Sequence, residues 1–452
     1  MNTIFSALPR RRFLRAAAFG TFAILVKSSR AAERPPVTAP RATSGDTAVA
    51  PDWATRLTVT VGTRDADLVG DDDRILQAAV SYVARLGGGT VRVLPGTYRL
   101  RNAIHLASRV RLEGSGVDTV LLKEPSATTK LAADSDWYDQ EITLADATGF
   151  RVGDGVCLKT QNKHKSGPDY CKRTLIARSG NRFKLDRPLR ENFWQMGDAS
   201  VATLFPLLNC EEVTDVVIED LVLDGNRPAN ALLDGNHAGG IFAQDCSRLT
   251  FRGVTARNYN GDGISFQICH DVLVENCHSV GNANLGVHPG SGSQRPIMRN
   301  NRLENNDIGI FFCWGVKYGL AENNVCVGNR LGVSIGHRDT DNLVVGNEIR
   351  QSGQAGILFR KERGKDFAGH RNRIEKNRIL DSGGERGVGV DVEGATEHVT
   401  IVRNEIRESR APLQRVGIRL GAETANIKLE ENQFSGLAQD VERVKAAAAP
   451  AN

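Results

Sequence analysis

The chain is 452 residues long, 40% hydrophobic and 25% charged, which excludes a wholly disordered polymer and leaves room for one elongated fold or several domains. Glycine outnumbers methionine 46 to 3, a balance that favours a turn-rich β protein over helices. Of the formal charge of +5, residues 1–32 supply +6, so the remainder is near neutral (5 − 6 = −1) and lacks the clustered positive charge of a general nucleic-acid binder.

That N-terminal charge comes from Arg10, Arg11, Arg12, Arg15, Lys27 and Arg30. Arg10-Arg11-Arg12-Phe13-Leu14-Arg15 precedes an apolar stretch, Ala16 to Val26, and small residues around Ser29-Arg30-Ala31-Ala32, the layout of a signal peptide over 1–32. The hexamer resembles the twin-arginine export motif R-R-x-F-L-K, with Arg15 in place of lysine and Pro9 where Ser or Thr is usual. The resemblance implies export of a folded protein, to the periplasm or the exterior. No apolar run reaches the ~18–20 residues that cross a bilayer, so no stable membrane span is expected. Residues 33–55, with Pro35, Pro36, Pro40 and Pro51, read as a linker.

Asp71-Asp72-Asp73 opens an amphipathic segment, Ile75 to Leu86, suited to a short helix, and Gly87 to Tyr98 follows as turn, strand, turn. Residues 56–125 are expected to form an N-terminal cap and the first coils of a solenoid. Residues 126–206 break the later rhythm, with strand-like Glu141-Ile142-Thr143-Leu144 and Val156-Cys157-Leu158-Lys159, and read as an inserted β subdomain.

From residue 240 the chain repeats. Gly240-Ile241, Gly263-Ile264, Gly286-Val287, Gly309-Ile310 and Gly332-Val333 recur every 23 residues, and Gly356-Ile357, Gly387-Val388 and Gly417-Ile418 continue the series. A second column runs Asn301, Asn324, Asn347, Asn377, Asn404 and Asn432. This period, with short β-branched runs, predicts a parallel β-helix over 207–437 whose coils stack ~4.8 Å apart. Ile241, Ile264, Val287, Ile310, Val333, Ile357, Val388 and Ile418 form one inward column, and Ala243, Phe266, Pro289, Phe312, Ile335, Phe359, Val390 and Leu420 another. The asparagines sit at a turn and bond coil to coil. Residues 438–452 read as a tail. Eight cysteines include no C-x-x-C pair, so zinc-site spacing is missing; Cys246 and Cys269, one repeat apart, suit inward stacking or a thiol ladder. Taken together, roughly 57–437 resembles the pectin-lyase-like proteins, in which a helix caps a right-handed, single-stranded parallel β-helix; the resemblance implies an all-β carbohydrate-active protein.

Within the Gly-Ile-x-x-x strand the third and fifth residues point outward. Phe242, Ser265, His288, Phe311, Ser334 and Leu358 form one outward column, and Gln244, Gln267, Gly290, Cys313, Gly336 and Arg360 another. A third, leaving the strand, holds Asp245, Ile268, Ser291, Trp314, His337 and Lys361. His288, His337, Arg338 and Arg360 are the catalytic candidates of this face: histidine carries protons near neutral pH, and arginine offsets a carboxylate. Gln267, Arg295, Phe311, Trp314, Lys317 and Lys361 are the substrate-binding candidates, an exposed ring among polar groups suiting a sugar chain. Pro289, inside a strand beside an outward histidine, predicts a local break in the sheet. Arg338 with Glu362, and Asp339 with Arg363, have the alternative reading of plain surface ion pairs.

Asn260-Gly261-Asp262-Gly263-Ile264 resembles the N-T-D-G-I segment of polygalacturonase-type glycoside hydrolases, which implies a catalytic carboxylate at Asp262. Where that family carries an aspartate pair one coil later, this chain has Ala283-Asn284; Arg360-Lys361 and Gly336-His337-Arg338 echo its R-I-K and G-H-G motifs out of order. Inverting hydrolysis needs two carboxylates, so β-elimination on an acidic polysaccharide is the preferred reading. Hydrolysis through Asp262 with Asp307 or Asp339, C5 epimerisation and non-catalytic glycan binding are the alternatives. No cofactor is assigned; calcium is the one considered, with Asp339 and Asp341 as its carboxylates.

Overall fold

The computed structural model describes residues 32–33, 35–38, 51–162, 167–410 and 414–445, so the signal hexamer and most of the expected linker lie outside the described residues. The chain divides into two compact units, Met1–Glu33 and Arg34–Asn452. Everything that follows belongs to the second.

Each coil makes three short strands joined by tight turns, and equivalent strands of successive coils pair in parallel into a first sheet of 13 strands that includes Ile297–Arg299, a second of 11 that includes Arg302–Glu304 and a third of 11 that includes Ile308–Phe311. The 23-residue spacing reappears as register: Ile241 pairs with Ile264, then Val287, Ile310 and Val333. All five are fully buried, because alternate side chains of a strand share a face and a coil has one inside. With Ala243, Phe266, Phe312, Ile335 and Phe359 they belong to one continuous core. The expected all-β parallel solenoid is what the chain builds.

Both inward columns are corrected at one coil, where Phe359 pairs with Val392 and Val392 with Leu420. Ile357 pairs with Val390 and Val390 with Ile418, while Val388 pairs with Ala355 and Val416. The connection before this strand is longer than in the regular coils, and Gly389, not Gly387, faces Gly356 and Gly417. A slip of two residues preserves the faces, so the core tolerates the miscount; a slip of one would have turned it to solvent.

The asparagine column lies between the first and second sheets and is fully hydrogen-bonded. The side-chain amide of Asn301 donates to Asn324 Oδ1 at 2.9 Å, and this link repeats to Asn347, Asn377, Asn404 and Asn432 at 2.9–3.0 Å. A second ladder, Asn282–Asn306–Asn329, runs between the second and third sheets. The sequence reading did not single it out.

The helix Asp73–Arg85 closes the first coil. Asp72 caps it by accepting from the N–H groups of Arg74 and Ile75, and Leu76, Ala79, Val80 and Val83, at helical spacing, are its buried face. Between the early coils and the regular ones lies a six-stranded antiparallel sheet, from Thr128–Lys130 to Ser200–Ala202. It has a core of its own around Ile142, Leu158, Phe183 and Phe193. At the other end, Gln439–Arg443 pairs with Val416–Leu420 as a last strand where a tail was expected. Cys246 and Cys269 lie on adjacent coils as free thiols, donating to the Gln244 and Gln267 carbonyls, both at 3.1 Å.

Candidate functional site

The outward row of the third sheet follows the expected phase. Phe242, Ser265 and His288 are successive partners, as are Phe311, Ser334 and Leu358. Outward does not mean exposed, however, because Phe242, Ser265 and His288 are all buried. Lys172 of the inserted sheet lies 3.7 Å over the Phe242 ring, and Tyr170 packs on His237 at 4.8 Å. Ser265 Oγ donates to the Gly235 carbonyl at 2.8 Å. The inserted sheet and the connection around Gly235 therefore roof this part of the face.

Under that roof sits a carboxylate–imidazole pair. Asp262 stands two residues before Ile264, on the same outer face as His288 of the next coil, and His288 Nδ1 lies 2.7 Å from Asp262 Oδ2. The Leu285 N–H donates to the other oxygen at 3.2 Å. An Nδ1–H donated to a carboxylate fixes the tautomer and leaves Nε2 as the basic nitrogen. His288 Nε2, Gln267 Oε1 and both amide atoms of Asn260 are buried without a hydrogen-bond partner. Such orphans are rare in a folded interior, and this group lies on two neighbouring coils. Burial pushes the Asp262 carboxyl up, while the bond from His288 pulls the other way. Ser265 Oγ is 3.4 Å from His288 Nδ1, the nitrogen Asp262 already holds, so no serine nucleophile is activated here. Two glycines leave space: a Cβ at Gly235 would fall 2.1 Å from the Asp262 carboxylate, and one at Gly290 would fall 2.2 Å from the Gln267 amide.

Pro289 does not break the strand, which runs through Leu285–Gly290 with Pro289 paired to Phe266. The irregularity falls one step later. The corner column Asp245, Ile268, Ser291, Trp314 and His337 is left-handed throughout, at φ from 43° to 68°. Since every side chain there adopts the same backbone, the corner geometry belongs to the fold, and it turns Trp314 and His337 outward.

These two residues open a second group. Trp314 is 51% exposed and stacks on His337 at 4.7 Å. His337 Nε2 lies 3.3 Å from Glu362, and burial lowers its pKa. Arg360 reaches back across two coils: it donates to Ser334 Oγ at 2.8 Å and to the Phe312 carbonyl at 3.0 Å, and pairs with Asp339 and Glu362. Its guanidinium lies 4.4 Å over the Phe311 ring, whose edge meets the His288 ring at 5.3 Å. Arg360 and His288 thus flank one aromatic side chain. Arg338 and Arg363 both stack on Phe367, at 4.0 and 3.9 Å, and Lys361 is exposed beside them. The ion pairs suggested by spacing are re-sorted: Glu362 serves His337 and Arg360 rather than Arg338, and Asp339 serves Arg360 rather than Arg363.

Not every candidate joins this face. Arg295 is nearly buried and forks onto Asp271 at 2.8 and 2.9 Å. Lys317 is half-buried on the following turn, its backbone bridged to Gln294 and Thr340. Asp341 is taken by Arg371 and Thr340, and Asp339 accepts three backbone N–H groups as well as Arg360. Neither offers a free carboxylate to calcium, and no cluster of three metal-ligating side chains occurs among the described residues.

Burial pushes the Asp339 carboxyl from 3.8 up to about 6, against the pull of Arg360 and those N–H groups. A raised acid favours the protonated folded state, so its contribution to stability is full below pH ~4 and lost as pH rises through about 6. Roughly two units correspond to about 3 kcal/mol. Urea unfolding is expected to show the unsubstituted protein losing that much relative to Asp339→Asn between pH 4 and 7. Parallel profiles would mean the carboxyl is ionised throughout.

Sequence reasoning placed Asp262 and His288 in separate mechanisms and missed their pairing. Strict alternation would turn Asp262, two residues before the inward Ile264, to the inside; the start of the strand departs from it, and the column that follows Asp262 (Leu285, Ile308, Leu331 and Ala355) packs outside with Phe311 and Leu358. Lys172, Gly235 and Phe367 carried no signal, because the insert and the long connections have no repeat phase.

Residues 229–368 match a family described as a right handed beta helix region. Compared with curated protein sequences, the chain matches none. Among solved structures it is similar to the A-modules of two mannuronan C-5 epimerases of Azotobacter vinelandii, each 16% identical. The TM-scores are 0.53 and 0.54, with 84% and 86% of this chain and 97% and 100% of those chains covered. An endo-xylogalacturonan hydrolase of Aspergillus tubingensis is similar at 13% identity and a TM-score of 0.53, with 87% of this chain and 100% of that one covered. Three parallel sheets wound from stacked coils, together with the family match over the site-bearing coils, give this chain the fold of a right-handed parallel β-helix.

Proposed function

We propose that this chain is an enzyme acting on an acidic polysaccharide, cleaving it by β-elimination on the outer face of the third sheet. The observation that carries the reading is the buried Asp262–His288 pair with an unpartnered Nε2. His288 Nε2 takes the C5 proton of a uronate residue, and Asp262 holds the ring and offsets the imidazolium that forms. Arg360, across the Phe311 ring, is the nearby cation that offsets the substrate carboxylate, and Arg338 and Lys361 meet carboxylates further along the chain. The C4–O bond then breaks, the electron pair leaves with the departing sugar oxygen, and that oxygen takes a proton from water. Because His288 is only 2% exposed, productive binding requires the connection around Gly235 to lift. Action on a polymer outside the cytoplasm accords with the twin-arginine hexamer.

A C5 epimerase takes the same proton and returns one to the opposite face without breaking the C4–O bond. The epimerase A-modules of like fold favour it as the second reading. Incubation with a polyuronate panel separates the readings: absorbance of an unsaturated uronate marks elimination, and deuterium entering C5 without chain cleavage marks epimerisation. New reducing ends without that absorbance mark hydrolysis, and no change on any glycan removes the enzyme reading. In the same assay Trp314→Ala is expected to raise KM about tenfold with kcat nearly unchanged, since stacking is worth about 1 kcal/mol beyond the area it covers. An unchanged KM would place the sugar chain elsewhere.

A further inference from the structure

We infer that the inserted antiparallel sheet carries a separate binding site for uncharged sugar residues. Of the six large apolar side chains that stand in solvent on this small subdomain, four fall in two short segments: Trp137 at 53%, Tyr138 at 59%, Trp194 at 38% and Met196 at 69% exposure. They are not scattered. Asp136 accepts from both Trp194 Nε1 at 2.9 Å and the Tyr138 hydroxyl at 3.2 Å, and Trp137 meets Tyr138 edge to face at 5.6 Å. The Trp137 N–H donates to Asn192 Oδ1 at 2.9 Å, which ties the two tryptophan-bearing loops together. One carboxylate thus holds two rings, and the third packs edge to face on one of them, so less side-chain entropy is left to lose on binding.

Beside Trp194 lies a cavity of about 270 Å³, lined by Trp194 and Met196 with Thr160, Gln161, Asn162 and Asn192. Aromatic rings beside amides and a hydroxyl are the chemistry of sugar recognition: the rings take the C–H face, and the polar groups take the hydroxyls. Phe193, buried in the core of the insert, anchors the loop that presents Trp194. Among the described residues the lining carries no formal charge, and the loop that presents Trp137 bears Asp134, Asp136 and Asp139. An anionic chain is therefore disfavoured here, in contrast to the Arg338, Lys361 and Arg363 rim of the solenoid. The two sites share no residue, and binding at the insert needs no turnover at His288.

The full chain is titrated by calorimetry and tryptophan fluorescence with neutral gluco-, manno-, galacto- and xylo-hexasaccharides and with hexagalacturonate. At least one neutral ligand is expected to bind. Trp194→Ala and Trp137→Ala should each weaken it at least tenfold, Trp194→Phe should restore most of the affinity, and His288→Gln should bind as the unsubstituted protein does. Loss of binding in His288→Gln would locate the ligand in the solenoid groove and overturn the inference. So would the absence of neutral-sugar binding, tryptophan variants of unchanged affinity, or hexagalacturonate displacing the neutral sugar from this site. A concentration-dependent dimer that Trp194→Ala dissolves, with no glycan bound, would identify the patch as a contact between copies and equally overturn it. Polyuronate turnover without neutral-sugar binding refutes only the inserted-sheet site, and neutral-sugar binding without turnover refutes only the catalytic reading.

Discussion

His288→Gln is expected to lower kcat on a polyuronate by about 10²–10⁴-fold, the usual worth of a positioned proton carrier. Glutamine keeps an amide that can donate to Asp262 and so avoids leaving that buried carboxyl without a partner, a change that costs about 3–5 kcal/mol when the group is charged. Circular dichroism and the unfolding midpoint should therefore stay near those of the unsubstituted protein, which separates lost chemistry from lost fold. Asp262→Asn should cost about 10²-fold or more, because an amide can turn its nitrogen toward the ring and hold it in the wrong tautomer. The roles would be reassigned if His288→Gln kept a third of its activity while His337→Gln lost it. In that case the exposed Trp314–His337–Glu362 group would hold the base, and the buried pair would be a structural tie between coils.

Asn324→Ala is expected to destabilise the protein by about 3–5 kcal/mol in urea unfolding. Asn324 is fully buried and takes part in four side-chain hydrogen bonds: its Oδ1 accepts from the Asn301 backbone at 3.0 Å and side chain at 2.9 Å, and its Nδ2 donates to the Met298 carbonyl and Asn347 Oδ1, both at 2.9 Å. Alanine strands two donors of Asn301 in a dry turn, and each buried unsatisfied group costs about 1–3 kcal/mol. Asn432→Ala should cost less than half as much. That residue is the last rung, half-buried, where water can replace the lost partners. Equal effects at the two positions would show that the ladder acts through turn conformation rather than through burial of its amides.

The candidate site was legible in part. Counting in 23s put His288, Phe311, Ser334 and Trp314 on the outer face and Ile264 and Val287 inside, because strand alternation and coil stacking are both local rules carried by the repeat. It assigned outwardness correctly but not exposure. Ser265 is covered by the connection at Gly235 and Phe242 by Lys172 of the insert, and no periodicity links those segments to the coils. Arg295 shows the same limit from the other side. Its position beside the site is a matter of counting, whereas its capture by Asp271 depends on the reach of a long side chain between coils.

Sequence alone determined that this protein is a stacked β solenoid, which side chains form its core and where its asparagine ladder runs, since each follows from a period that every coil repeats. Only the tertiary structure decided that Asp262 and His288 form a pair, that Arg360 reaches back to Phe311, and that the insert roofs one part of the face while presenting aromatic rings elsewhere. These contacts join segments of different phase, where distance and burial are set by loops whose course no repeat encodes.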